Sequence, residues 1–269
     1  MHQRFKGQSV VITGAASGLG LLLSQLFDAA EAHVLGIDIN PDALSTAASK
    51  LSDRFTPLVC DLSDREQIAA VFKEIYALTP HVDILINNAG IVYGETLENH
   101  EPHQIERTFA VNTLSHFYTI GAVWGQMKTR NSGHIVSIAS AGGFIGTPKL
   151  SAYCASKFAA VGIEESLRGE IRAAGLSIHS TLIAPYFINT GMFSGVKSRF
   201  PFLLPVMEPE YVARRIFGAI ARKKRRLILP WFAYTVFPMR MLPVRWFDAL
   251  VDFFGITRAM EGFSGRKSS

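Results

Sequence analysis

Seven short runs of apolar and β-branched residues recur along the chain, each separated from the next by a longer stretch with helical spacing. They are SVVIT (9–13), HVLGID (33–38), FTPLV (55–59), VDILIN (82–87), HIVSIAS (134–140), SIHSTLI (177–183) and RLILP (226–230). Nearly continuous apolar strands of this kind are buried on both faces, which is the mark of a parallel sheet. Helical patterns fill the gaps at Leu19–Ala30, Asp42–Leu51, Arg65–Leu78, His103–Lys128, Ser151–Ala174 and Pro209–Arg222. The alternation predicts one α/β domain over residues 1–269: a doubly wound parallel sheet of about seven strands with helices on both faces. Apolar residues at 48% are enough to fill such a core, and charged residues at 18% exclude wholesale disorder.

Two regions fall outside the alternation. Residues 186–208 form a long apolar stretch broken by Gly and Pro, placed to act as a substrate loop. Residues 231–269 are an apolar C-terminal extension with Trp231, Phe232, Tyr234, Phe237, Trp246, Phe247, Phe253 and Phe254 near its start.

The first run ends in TGAASGLG (13–20), with Gly14, Gly18 and Gly20, and LLLSQLF begins a helix immediately after. Glycines there permit a tight turn and let the backbone approach a pyrophosphate. The free N–H groups and dipole of the helix N-terminus favour that negative charge. Ser17 and Leu19 lie in the same turn. Asp38 ends the second run, where a carboxylate can accept both hydroxyls of an adenosine ribose and repel a 2′-phosphate. Neither Ser17 nor the following Ile39 and Asn40 offers a cation for such a phosphate, so NAD is expected rather than NADP. Asp61 and Leu62, after the third run, are placed to reach the adenine edge.

Tyr153 and Lys157, in SAYCASKF (151–158), are i, i+4 and share a helix face. A cation beside a phenol lowers its pKa towards neutrality, which suits acid/base work. Ser140, at the end of the fifth run, is positioned to hold a carbonyl or alcohol oxygen.

TGAASGLG, NNAG (87–90), Asn112, Ser140 and YCASK (153–157) together resemble the short-chain dehydrogenase/reductase family over residues 8 to about 230. The resemblance implies a Rossmann fold, with Tyr153 as acid/base, Lys157 binding nicotinamide ribose, Ser140 orienting substrate and Asn112 holding a proton-relay water. It places Asn88, Ala89 and Gly90 along the cofactor cleft, and Pro185, Ile188 and Thr190 at the nicotinamide carboxamide. Tyr186 stands where many members have Gly. APYFINTGMF and GITRAMEGF further resemble the branch of retinol dehydrogenases and 17β-hydroxysteroid dehydrogenases. That implies an alcohol/carbonyl couple on a lipophilic substrate, with Phe144, Tyr186, Met192 and Phe193 on the substrate side of Ser140 and Tyr153. It also implies pairing of the helices around Phe117, Trp124, Phe158 and Ile163 into a homodimer or homotetramer. The rival readings are an NADPH-dependent carbonyl or ketoacyl reductase and a catalytically silent nucleotide-binding scaffold.

The remaining features set the setting. Cys60 and Cys154 cannot make a disulfide framework, and no metal spacing is present among the eight histidines. MHQRFKGQSVVITG carries no signal or spanning segment, so a cytoplasmic setting is expected. The net charge of +5 resides in Arg222–Arg226, without which basic and acidic residues balance at 22 each. That local cluster excludes a general nucleic-acid surface. Together with the amphipathic stretch 239–256 it suggests peripheral membrane contact.

Overall fold

The computed structural model describes residues 4–265, so the outer ends of the expected 1–269 domain and 231–269 extension lie outside the described residues. One sheet of seven parallel strands forms the centre, in the order β3-β2-β1-β4-β5-β6-β7. The strands are β1 (Ser9–Thr13), β2 (His33–Asp38), β3 (Phe55–Val59), β4 (Ile84–Asn87), β5 (His134–Ile138), β6 (His179–Pro185) and β7 (Arg226–Leu229). Strand order reverses between β1 and β4, which opens a crevice at their carboxyl ends where ligands bind in such sheets.

Alternation along the strands divides the core. Val10 and Ile12 of β1, with Ile84 and Ile86 of β4, face a layer built from α1 (Gly18–Asp28), α2 (Pro41–Ala48) and α7 (Pro209–Ala221). Val11 and Leu85 face the opposite layer of α3 (Arg65–Leu78), α5 (Ser115–Arg130) and α6 (Ser151–Ala173). A strand buried on both faces has no wet side to alternate with, which explains the continuous apolar runs.

The long helix expected over 103–128 is interrupted. It comprises α4 (Pro102–Phe109), a π-helical segment Ala110–Leu114, and α5. The widened turn carries Asn112, and local π geometry commonly marks a functional position. Loop 186–208 contains no regular helix and closes on itself through a bridge between Ile188 and Met207. The extension folds as a 3-10 turn (Trp231–Thr235), a short α8 (Val236–Met239) and an amphipathic α9 (Val244–Phe253). Phe237 and Phe247 pack inward on a cluster around Phe144, Ile145 and Val161.

The basic run Arg222–Arg226 touches this extension through Arg226, which lies over the Phe237 ring at 5.4 Å. The run lies at the N-terminal end of β7, whereas Trp231 leaves the C-terminal end, a strand length of roughly 13 Å away. Arg226 is also engaged with Glu165 at 2.6 Å and lies over the Phe144 ring.

Candidate active site

The glycine turn is welded to the end of β4. The Thr13 hydroxyl accepts from the N–H groups of Asn88 (2.9 Å) and Ala89 (3.0 Å), and the Asn88 amide donates to the Thr13 carbonyl at 2.9 Å. Gly14 and Gly18 have φ of +66° and +51°, the left-handed region that glycine enters without strain. A Cβ on Gly20 would collide with the Gly14 carbonyl oxygen, so the turn tolerates no side chain there. Ser17 occupies the N-cap of α1, but its side chain makes no capping bond and remains available to a phosphate.

Asp38 accepts from the Ala16 N–H at 3.0 Å and the Asn40 N–H at 3.2 Å. It thus fixes the glycine turn and keeps lone pairs for a diol. It does not cap α2; Asn40 does, accepting from Ala43 at 3.0 Å. Asp61 is held by Arg107 at 3.2 Å and by the N–H and hydroxyl of Ser63. Those bonds and Arg107 together outweigh partial burial and keep its carboxyl below the usual range.

At the other end of the cleft, β5 and α6 bring the acid/base group together. The Ser140 hydroxyl accepts from Gly142 N–H at 3.1 Å and approaches the Pro185 carbonyl at 3.4 Å. Tyr153 is buried against Phe193, whose ring meets it edge-on at 5.5 Å. The Lys157 ammonium lies 5.8 Å from the Tyr153 ring centre and donates to the Ile138 carbonyl at 3.0 Å. Burial pushes Lys157 down to about 8. Burial also raises the Tyr153 phenol above its ordinary value, opposed by a hydrogen bond with Ser140. The lowering expected from the Tyr–Lys spacing is therefore absent in the chain by itself: desolvation dominates, and the cation is turned towards a backbone carbonyl.

Asn112 lies under the cleft rather than on its wall. Its side chain pairs with both backbone groups of Ile91, at 2.8 and 2.9 Å, and donates to Ser156 at 3.0 Å. Ser156 in turn donates to the Tyr153 carbonyl at 2.7 Å. These bonds join the segment after β4, the π segment and the N-terminal part of α6. Neither Thr13 nor Ser156 was picked out by sequence reasoning. Ser156 lies three residues after Tyr153, a spacing that could have pointed to it.

One cleft is lined by Gly14, Ser17, Gly18, Leu19, Asp38, Ile39, Asp61, Leu62, Asn88, Ala89, Gly90, Ser140, Tyr153, Lys157, Pro185, Tyr186, Ile188, Thr190, Met192 and Phe193. Gly20 stands behind the turn. Arg107, Phe187 and Ile256 also line the cleft and were not anticipated. Phe144 is the exception among the expected substrate residues. It is turned away, packed on Phe237 with ring centres 5.2 Å apart, and borders a neighbouring chamber.

Residues 8–199 match the family model described as short chain dehydrogenase. The chain is a short-chain dehydrogenase. It is 39% identical to mouse (Mus musculus) epidermal retinol dehydrogenase 2, with 97% of this chain and 86% of that protein aligned. It is 37% identical to short-chain dehydrogenase/reductase family 16C member 6 of Bos taurus, covering 98% and 85%. Identity to human estradiol 17-beta-dehydrogenase 11 is 38%, covering 91% and 82%. Among solved structures, a short chain dehydrogenase/reductase from Burkholderia phymatum in complex with NAD superposes with a TM-score of 0.80 at 24% identity, covering 88% of this chain and 94% of that one. A metagenomic short-chain oxidoreductase in complex with NADP gives 0.70 at 23%, covering 84% and 98%. These likenesses establish the Rossmann-type dehydrogenase fold, and the chain is an oxidoreductase of a family that uses nicotinamide cofactors.

Proposed function

We propose that the protein is an NAD(H)-dependent oxidoreductase that interconverts an alcohol and a carbonyl on a lipophilic substrate. The observation that carries the reading is a single cleft with Asp38 and an uncapped glycine turn at one end and Ser140, Tyr153 and Lys157 at the other. The residues fit a dinucleotide. The turn around Gly14, Gly18 and Ser17 takes the pyrophosphate, Asp38 the adenosine ribose, and Lys157 the second ribose. Asn88, Ala89, Gly90, Pro185, Ile188 and Thr190 flank the nicotinamide. Ile39 and Asn40 beside Asp38 supply no cation for a 2′-phosphate, which favours NAD over NADP.

Bound nicotinamide supplies the acceptor for the carbinol hydrogen and its electron pair. Tyr153 Oη takes the hydroxyl proton in oxidation and returns it in reduction. Ser140 Oγ orients the reacting oxygen, and the Lys157 ammonium stabilises the phenolate that takes up the proton in oxidation and is re-formed in reduction. Asn112 holds the floor beneath them. Phe187, Met192 and Phe193, with Tyr186 and Ile145, line the substrate side with apolar surface, which excludes water and suits a lipophilic partner. The names of the relatives, retinol and estradiol dehydrogenases, point the same way.

Two surfaces extend the proposal. Leu114 and Phe117 on the π–α5 segment and Phe158 on α6 are exposed, as pairing into a homodimer or homotetramer requires. Trp231, Met241, Val244 and Trp246 leave the extension with an exposed aromatic rim. No helix of the described residues is long and apolar enough to cross a membrane. The rim fits peripheral contact with a bilayer, to which the exposed Arg222–Arg225 add positive charge.

The test is turnover of retinol, hydroxysteroids and simple secondary alcohols with NAD and with NADP. The reading expects NAD-linked oxidation of lipophilic alcohols. Preference for NADP overturns the cofactor assignment, and no turnover with either overturns the enzyme. Flotation with anionic vesicles tests the rim: a protein that stays at the bottom at low salt removes the membrane part.

A further inference from the structure

Beside the catalytic cleft lies a second, smaller chamber. Its cavity volume is about 50 Å³, against about 290 Å³ for the cleft. The two share Ala141, Ile145, Tyr186 and Ile256 as a common wall, so they adjoin at the substrate end of the cleft, near Ser140. Its floor is Ile228 of β7 with Phe144, and its roof is the extension: Phe232, Ala233, Val236 and Phe254. Phe232 and Phe254 meet edge to face at 5.3 Å and hold that roof together.

The wall is apolar in chemistry as well as in composition. Thr235 directs its hydroxyl away to the Phe232 carbonyl at 2.8 Å. Among the described residues, no charged side chain borders the space. Tyr186, in the dividing wall, donates its backbone N–H to the Leu229 carbonyl at 2.7 Å, and burial raises its phenol to about 12. It is thus a neutral polar group at the boundary between the two spaces. An apolar volume of this size does not hold ordered water, which needs several polar partners.

We propose that the chamber is a second substrate subsite, which receives the distal end of an unbranched hydrocarbon chain while the alcohol or carbonyl end lies at Ser140 and Tyr153. Its small size and contact with the cleft along a wall of four side chains suit a flexible chain and not a fused ring system. Tyr186 and Ile145 then set which chains pass. The inference rests on the oxidoreductase reading for the head group, but the chamber can be tested without it.

The experiment uses the full chain. Binding of cis-parinaric acid, a fluorescent polyene chain, is followed by its emission and by displacement with hexadecanol or butanol. In parallel, kcat/KM is measured for straight-chain primary alcohols from butanol to hexadecanol. Ala233→Phe fills the chamber and Phe232→Ala enlarges it; neither residue touches the catalytic cleft. The wild type binds the probe, hexadecanol displaces it and butanol does not. Where turnover is seen, kcat/KM rises by up to about fourfold per added methylene and then levels off. Ala233→Phe weakens probe binding at least about tenfold and brings the plateau to shorter chains, with butanol unaffected. Phe232→Ala moves the plateau to longer chains. The proposal is overturned if probe binding and chain-length profile are unchanged in both variants, or if short and long alcohols lose equally in variants that melt like wild type. Absence of turnover with normal probe behaviour overturns the oxidoreductase reading and leaves the chamber standing.

Discussion

Mild acid should destabilise this protein through two interior histidines. His116, on α5, is fully enclosed, and neither ring nitrogen has a partner among the described residues. Burial first, and the nearby Lys157 second, pull it down to about 3. His134, at the start of β5, is also pulled to about 3, by burial and then by His179, Lys223 and Arg4; its Nε2 meets the Thr181 hydroxyl at 2.7 Å. Both rings are neutral in the folded state throughout the range where the unfolded chain takes up protons. The unfolded state therefore binds more protons between about pH 6.5 and 3, and stability falls as pH falls through that window. At pH 5 the free histidine lies about 1.5 units above the pH, so each site costs about 2 kcal/mol. Together they remove about 4 kcal/mol of a total that is commonly 5–15. Urea unfolding at pH 7.5 and pH 5, followed by circular dichroism, measures this. His116→Met and His134→Gln should each lose about 2 kcal/mol less than wild type over that interval. Equal losses in wild type and both variants would refute the reasoning.

Other outcomes follow from the cleft. Ile39 is half-exposed at its rim, so Asp38→Ala with Ile39→Arg should turn a preference for NAD into one for NADP in kcat/KM. A wild type that already prefers NADP contradicts the role given to Asp38. Gly20→Ala must push the turn away from the Gly14 carbonyl. It should cost about 1–3 kcal/mol of stability and weaken NAD binding in calorimetry. Phe117→Glu should abolish the proposed pairing in light scattering, and a wild type that is monomeric at micromolar concentration removes the pairing altogether.

The central strands were legible because a doubly covered sheet writes itself as apolar runs; β3, at the edge, exposes Pro57 and Val59. SVVIT, HVLGID and FTPLV coincide with β1, β2 and β3 residue for residue. Ends were less legible where the chain leaves the sheet for the site. β5 stops at Ile138, and Ser140 begins a 3-10 turn instead; β6 runs on to Pro185 to deliver the cleft wall. Glycine, aspartate and tyrosine positions follow strand and helix geometry, so Gly14, Asp38 and Tyr153 line one cleft. The π segment was not legible, since its widened turn preserves apolar spacing on both sides. Nor was the direction of Phe144, which depends on Phe237 and on Arg240 donating to the Phe144 carbonyl at 2.6 Å, about a hundred residues away. The engagement of Arg226 by Glu165 was hidden for the same reason, and a charge run read linearly overstated the free cations.

The central claim is that the Tyr153 hydroxyl moves the proton in a cleft that binds NAD through other residues. Tyr153→Phe keeps the ring against Phe193 and removes only that oxygen. Single-turnover and steady-state oxidation of a lipophilic alcohol, measured beside calorimetric NAD binding, should show kcat reduced at least about a hundredfold with NAD affinity unchanged. Retention of more than about a tenth of wild-type kcat would contradict the account.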